Sequence, residues 1–175
     1  MKSNLFKFLL APGLLALVIV SLLVVAPRSK AQGPTASANG QGTLLSPDGR
    51  RQFALSARLY PDGTVNGNAI LHNPEFTTTN GQRYQLQVDI QCMKVVGNIA
   101  IFGGTTRRTN DPTLVDAVFF SVQDNGEPGR GADRISRAFF WDSDPTTTGD
   151  PQACQFVTPT DFPLETIEAG NIQVK

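Results

Sequence analysis

The chain has 175 residues, 15 of them basic and 15 acidic, with 40% hydrophobic residues and a formal net charge of zero. That length suits one domain with one core, and nothing in the composition shift along the chain asks for two. The mixed-sign charge offers no footprint for nucleic acid, which needs a clustered basic face: Arg50–Arg51 and Arg107–Arg108 are isolated pairs, read as solvated strand-end and loop residues.

The chain opens on Lys2 and Lys7, followed by an apolar run from Phe8 to Ala26 and a small-residue exit at Ser29-Lys30-Ala31. This order predicts an N-terminal signal helix, residues 1–31, cut before Gln32. The alternative is a retained membrane anchor over residues 8–26, a run of 19 residues where a span needs about 20. Pro12 and Gly13 divide that run and leave Leu14–Ala26, 13 residues, as the apolar core, which is signal length. Removing residues 1–31 takes four of the 15 basic residues and none of the 15 acids, so the mature 144 residues carry a net charge of −4. The first cysteine is Cys92, which closes the lipid-anchor route through an N-terminal cysteine.

Residues 32–45, small, polar and without periodicity, read as a flexible lead-in to a single β domain at 46–175. From Arg51 the pattern has period two, the mark of strands with one buried face. Phe53, Leu55, Ala57 and Leu59 alternate with polar neighbours, Tyr60-Pro61-Asp62-Gly63 makes a turn, and Val65, Gly67, Ala69 and Leu71 return as a hairpin. His72, in His72-Asn73-Pro74, reads as a loop residue just past that strand. Tyr84, Leu86, Val88, Ile90 and Cys92 give the cleanest alternation, with Cys92 on the dry face. Gly97-Asn98 supplies a tight turn before a return over Ile99–Phe102. Further strands are predicted at Leu114–Val122, Ile135–Trp141, Ala153–Thr158 and Ile172–Val174. With 12 prolines and 16 glycines and no sustained helical period, the fold class is all-β: an antiparallel sandwich or small barrel of about seven or eight strands.

The segments ARLYPDGTVNGNAIL (Ala57–Leu71), MKVVGNIAIFGG (Met93–Gly104), VFFSVQDNGEPGRGADRIS (Val118–Ser136) and the ending GNIQV (Gly170–Val174) resemble a group of small, uncharacterised secreted bacterial β-domains. Such domains are sometimes found after a cell-surface anchoring module. The most specific part is VQDNGEPGRGAD followed by a terminal GNI strand. The resemblance implies an extracytoplasmic all-β domain and brings no activity, substrate or catalytic residue. Cys92, Cys154 and the loop Trp141–Cys154 lie outside its pattern.

Two cysteines in one small exported domain are expected to pair, here Cys92 with Cys154; the alternative is two buried thiols. The acidic turn with Asp124, Glu127 and Asp133 offers hard oxygen ligands for Ca²⁺, as do Asp142 and Asp144 in a second loop. Neither has the spacing of a helix–loop–helix calcium site, and both read more simply as rigid connections, so no metal or other cofactor is assigned. One histidine makes no zinc site of usual composition, and no nucleophile elbow is present, so no catalytic residue is assigned. In Phe119-Phe120 and Phe139-Phe140-Trp141 alternation turns one ring inward and its neighbour outward, and the outward ring needs cover. Three readings follow: a non-enzymatic structural or binding module with a cell-envelope or extracellular partner; a carrier of small apolar ligands in a barrel lined by Phe53, Leu86, Phe119 and Phe139; and a carboxylate-based hydrolase. A membrane partner enters only if residues 8–26 are retained.

Overall fold

A computed structural model describes residues 32–77, 81–111, 116–140 and 149–175. The predicted signal helix, Asp142 and Asp144 lie outside these residues. Residues 32–175 form one unit. Its strands are β1 (Ala36–Ser46), β2 (Gly49–Leu59), β3 (Val65–Thr77), β4 (Arg83–Val96), β5 (Ile99–Thr109), β6 (Ala117–Gln123), β7 (Arg134–Ser136), β8 (Phe139–Phe140), β9 (Leu164–Thr166) and β10 (Ala169–Val174). They make one antiparallel sheet in the order β10-β1-β2-β3-β4-β5-β6-β7-β9, with β8 beside β6, curled into a half-barrel.

The hairpins follow from the alternation. Phe53, Leu55 and Ala57 of β2 and Ala69 and Leu71 of β3 are buried while the residues between them are exposed, and Phe53 lies opposite Leu71. Their side chains join Leu86, Val88, Ile90, Phe102, Phe120 and Ile172 in one core on the inner face of the curl. The β4–β5 turn is the tight one expected, with Gly97 at φ +61°.

Four expectations need correction. Residues 32–45 are no flexible lead-in: β1 occupies most of them, bonded to β2 on one side and to β10 on the other. Its buried positions include Ala38 and Leu44, and the small residues between them let neighbouring strands approach. Second, Cys92 is buried on the face opposite Leu86, Val88 and Ile90. A bulge shifts the register between Ile90, paired with Gly104, and Cys92, paired with Gly103, so Met93 takes over the inner face. Third, the strand Ile135–Trp141 is broken within its described part: β7 and β8 pair separate stretches of β6. At the break the Ser136 hydroxyl accepts from the Ser121 N–H (2.9 Å) and donates to the Arg137 carbonyl (2.8 Å), where a ladder bond would otherwise run. Fourth, Ala153–Thr158 is not a strand. Pro151–Gln155 is a 3-10 helix with Asp150 as its N-cap, accepting from the Gln152 N–H at 2.8 Å.

That helix answers the need for cover. It lies on the outer face, where Cys92 and Cys154 form a disulfide with Cα atoms 6.1 Å apart. Around it Ile101, Ala117, Phe119, Val157 and Phe162 make a second apolar cluster, with Phe139 stacked on Phe162 at 5.1 Å between centroids. Phe120 points into the main core and packs on Phe102 at 4.8 Å. The outward rings of Phe119 and Phe139 are therefore covered by the chain's own C-terminal segment, and Trp141 lies outside the described residues. The set Phe53, Leu86, Phe119 and Phe139 does not line one interior, because the first two belong to the inner cluster and the last two to the outer.

Candidate functional site

At the end of the half-barrel where β1 finishes and β4 begins, a cleft of about 290 Å³ opens above the main core. Leu44, Phe53, Leu71, Ile135 and Phe140 form its apolar floor. Its polar side comes from Asp48 in the β1–β2 turn, Arg51 at the start of β2, Tyr84 at the start of β4, and Arg137 between β7 and β8. The break in the β7–β8 strand is what leaves Arg137 at this mouth. Asn73 ties the turn down by donating to the Asp48 carbonyl at 3.0 Å.

The two guanidinium groups converge on one oxygen. Arg51 donates through Nη1 to Glu165 Oε1 (3.0 Å) and through Nη2 to the Ser136 carbonyl (2.9 Å). Arg137 donates through Nε to the same Glu165 Oε1 (3.0 Å) and through Nη1 to Asp48 Oδ2. The Arg51 side chain is 14% exposed and that of Arg137 is 43% exposed. Burial pulls the Arg51 guanidinium below its ordinary value, against the opposite pull of Glu165, and the positive charge of Arg137 adds to the lowering. Arg137, closer to water, is held above its ordinary value, first by its hydrogen bond to Glu165. The Tyr84 phenol is pushed up to about 12, chiefly by burial, so it stays protonated across neutral pH.

These residues were missed by sequence reading, although a signal existed. Arg51 stands two before Phe53 and Tyr84 two before Leu86, so each continues the dry face of its strand. A charged residue in register with a core row is the mark of a partnered or site residue. Arg51 is thus not the solvated strand-end residue expected. His72 is likewise not in a loop: it lies within β3, opposite Gln52 and Gln85, and borders the cleft.

Of the predicted calcium candidates, Asp124, Glu127 and Asp133 stand elsewhere, near the end where β1 begins and β10 finishes. There Asp124, Glu127 and Asp133 are brought together with β10, and their oxygens are engaged by N–H donors. Asp133 is fully buried, accepting from the Asn125 N–H (2.8 Å) and the Ile172 N–H (2.7 Å). Asp124 accepts from the Gly126 N–H (2.9 Å) and the Val174 N–H (3.0 Å). Glu127 accepts from Asn171 Nδ2 at 2.8 Å, while Asn171 Oδ1 accepts from the Gly129 N–H at 3.0 Å. A β-carbon on Gly129 would sit 2.0 Å from Asp133 Oδ2, so only glycine fits. The DNGEPGRGAD loop and the GNI strand are therefore two halves of one latch, in which carboxylates satisfy the free edge of β10. Among the described residues no three His, Cys, Asp or Glu groups are placed to hold a metal ion.

Comparison with protein-family models, with curated proteins and with solved structures found no match to this chain.

Proposed function

We propose that the chain is an exported, non-enzymatic binding module whose cleft receives a small ligand with an apolar body and a polar end. The observation that carries this reading is the cleft itself: an apolar floor continuous with the core, bordered by a nearly buried Arg51 and a protonated Tyr84. Binding sites for small molecules combine such a floor with a few placed polar groups. Asp48 and Glu165 both pair with Arg137, so these acids serve as its counter-charges, which favours binding over carboxylate catalysis.

Export is supported by three features. The Cys92–Cys154 bridge suits an oxidising compartment. The first 31 residues carry the signal pattern, and the latch residues carry the resemblance to secreted domains. No helix among the described residues is long and apolar enough to cross a membrane.

The reading is tested by calorimetric titration of the oxidised protein with an amphiphile of about ten heavy atoms, the count that about ten water-sized volumes of ~30 Å³ allow. Saturable binding is expected, and it should vanish in Ala138→Trp, which fills the cleft from its half-buried wall. Equal binding by the wild type and a folded Ala138→Trp protein would show that the ligand sits elsewhere.

A further inference from the structure

The two arginines at the cleft are unequally compensated. One carboxylate oxygen, Glu165 Oε1, serves both guanidinium groups, while Asp48 reaches only the outer one and is itself 43% exposed. Each arginine has five N–H donors and uses two, so three on each make no hydrogen bond to a described residue. The inner group has lost much of its water, with 14% of its side chain exposed. Desolvated guanidinium donors beside an apolar floor are a demand for an acceptor, and a negative one answers it best. Water screens the outer pair of Asp48 and Arg137 more than the inner pair, so Asp48 does little to cancel the field around Arg51.

We propose that the ligand of this cleft is an amphipathic carboxylate, its chain on Phe53, Leu71 and Phe140 and its head received by Arg51 and Arg137. This rests on the cleft being the binding site. The planar fork of a guanidinium matches a carboxylate edge, which a hydroxyl engages with one atom and an ammonium opposes with like charge. The volume of about 290 Å³ fits a chain of medium length, with octanoate as the probe. Tyr84, protonated at neutral pH, borders the same opening without adding negative charge.

The test compares octanoate, octan-1-ol, octylammonium and acetate by calorimetry on the oxidised protein at one ionic strength. Octanoate is expected to bind at least ~10-fold more tightly than octan-1-ol, with octylammonium weaker than the alcohol and acetate, lacking a chain, weakest. Arg51→Met keeps the stem and removes the donors; it should bring octanoate down to the level of octan-1-ol while leaving the alcohol unchanged. Arg137→Met, at the more exposed position, gives the same comparison should the inner variant fail to fold. Equal affinity for octanoate and octan-1-ol, or an equal loss of both in the arginine variants, overturns the carboxylate and leaves the binding cleft standing. Absence of binding by all four probes overturns both.

Discussion

Asp133 shows how much one side chain holds. Both its oxygens accept backbone N–H groups in a fully buried setting, one from its own loop and one from β10. Asp133→Asn turns one oxygen into a donor that faces a donor, and is expected to cost about 2–3 kcal/mol in chemical denaturation. Asp124→Asn, whose partners lie nearer the surface, should cost roughly half of that. A wild-type midpoint for Asp133→Asn would sink the latch. Tyr84 supplies a pH dependence. Its phenol titrates near 10 when unfolded and at about 12 when folded, so between those values the unfolded state loses its proton first. The Tyr84 contribution to stability is therefore intact below the unfolded value and is lost as pH rises through the window, by up to about 3 kcal/mol. Tyr84→Phe should lack this component of the alkaline loss; a matching loss in that variant would assign it to other groups. At this scale the sequence was partly legible. The acids of the latch stood out by composition, but their role depended on β10 arriving from some forty residues away. Arg51 stood in register with the dry face of β2, which marks a partnered residue without naming the partner, here Glu165, 114 positions away, while Tyr84 looked like any aromatic of a core row.

Elements were legible where one face of a strand is wet and the other dry, as in β2, β3 and the first half of β4. They were not where a local event breaks that rule. The bulge after Ile90 turns Cys92 to the outer face, and no residue pattern announces it. In β1 glycines and short polar residues occupy a strand squeezed between two neighbours, so crowding looks like disorder in the sequence. The 3-10 helix at Pro151–Gln155 did carry a signal, Asp150 as N-cap with Pro151 behind it, which the apolar residues after it obscured. This helix sits on the backbone of β5: a β-carbon on Gly103 would lie 2.0 Å from the Pro151 carbonyl oxygen. Lys94 fastens its far end by donating from Nζ to the Gln155 (2.9 Å) and Val157 (3.0 Å) carbonyls. Gly103→Ala must therefore push the helix off a sheet to which Cys154 binds it, and a loss of about 2 kcal/mol or more is expected in thermal or chemical unfolding. A neutral Gly103→Ala would mean that the cover is not seated there. Reduction of the bridge, whose cysteines are 62 residues apart, should cost roughly 4 kcal/mol in the chain-entropy account. Unfolding midpoints that coincide with and without reductant would show the cover to be held by packing alone.

For the molecule as a whole, the curled sheet depends on its two ends meeting through one short stretch of chain. Leu164–Thr166 pairs with β7 at one edge, and a few residues later Ala169–Val174 pairs with β1 at the other. Between them the Ile167 N–H bonds the Asp133 carbonyl (3.0 Å) and the Glu168 N–H bonds the Thr43 carbonyl (2.8 Å), so the crossing itself is fastened to both sides. β1 is then the seam: it holds β2 by one edge and β10 by the other, and the latch holds β10 from its far side. This fixes what the N-terminus can lose. Among the described residues the first backbone bond to β2 runs from the Thr35 N–H, just ahead of β1, to the Leu59 carbonyl at 2.8 Å, three residues after the expected cut before Gln32. Cleavage there should leave the unfolding midpoint of the oxidised domain unchanged, and mass spectrometry of the exported protein should find Gln32 at its start. Cutting ten residues further, to leave Gly42 first, removes the Ala36–Gln41 half of β1 and with it the pairing to Ala38–Gln41 that β10 needs over Asn171–Val174. The inner core loses Ala38 and β10 keeps only the latch on that stretch, so this shorter chain is expected to lose its cooperative transition. A shortened chain that still unfolds in one sharp step would show that the latch alone closes the sheet, and that β1 is dispensable where the structure makes it the seam.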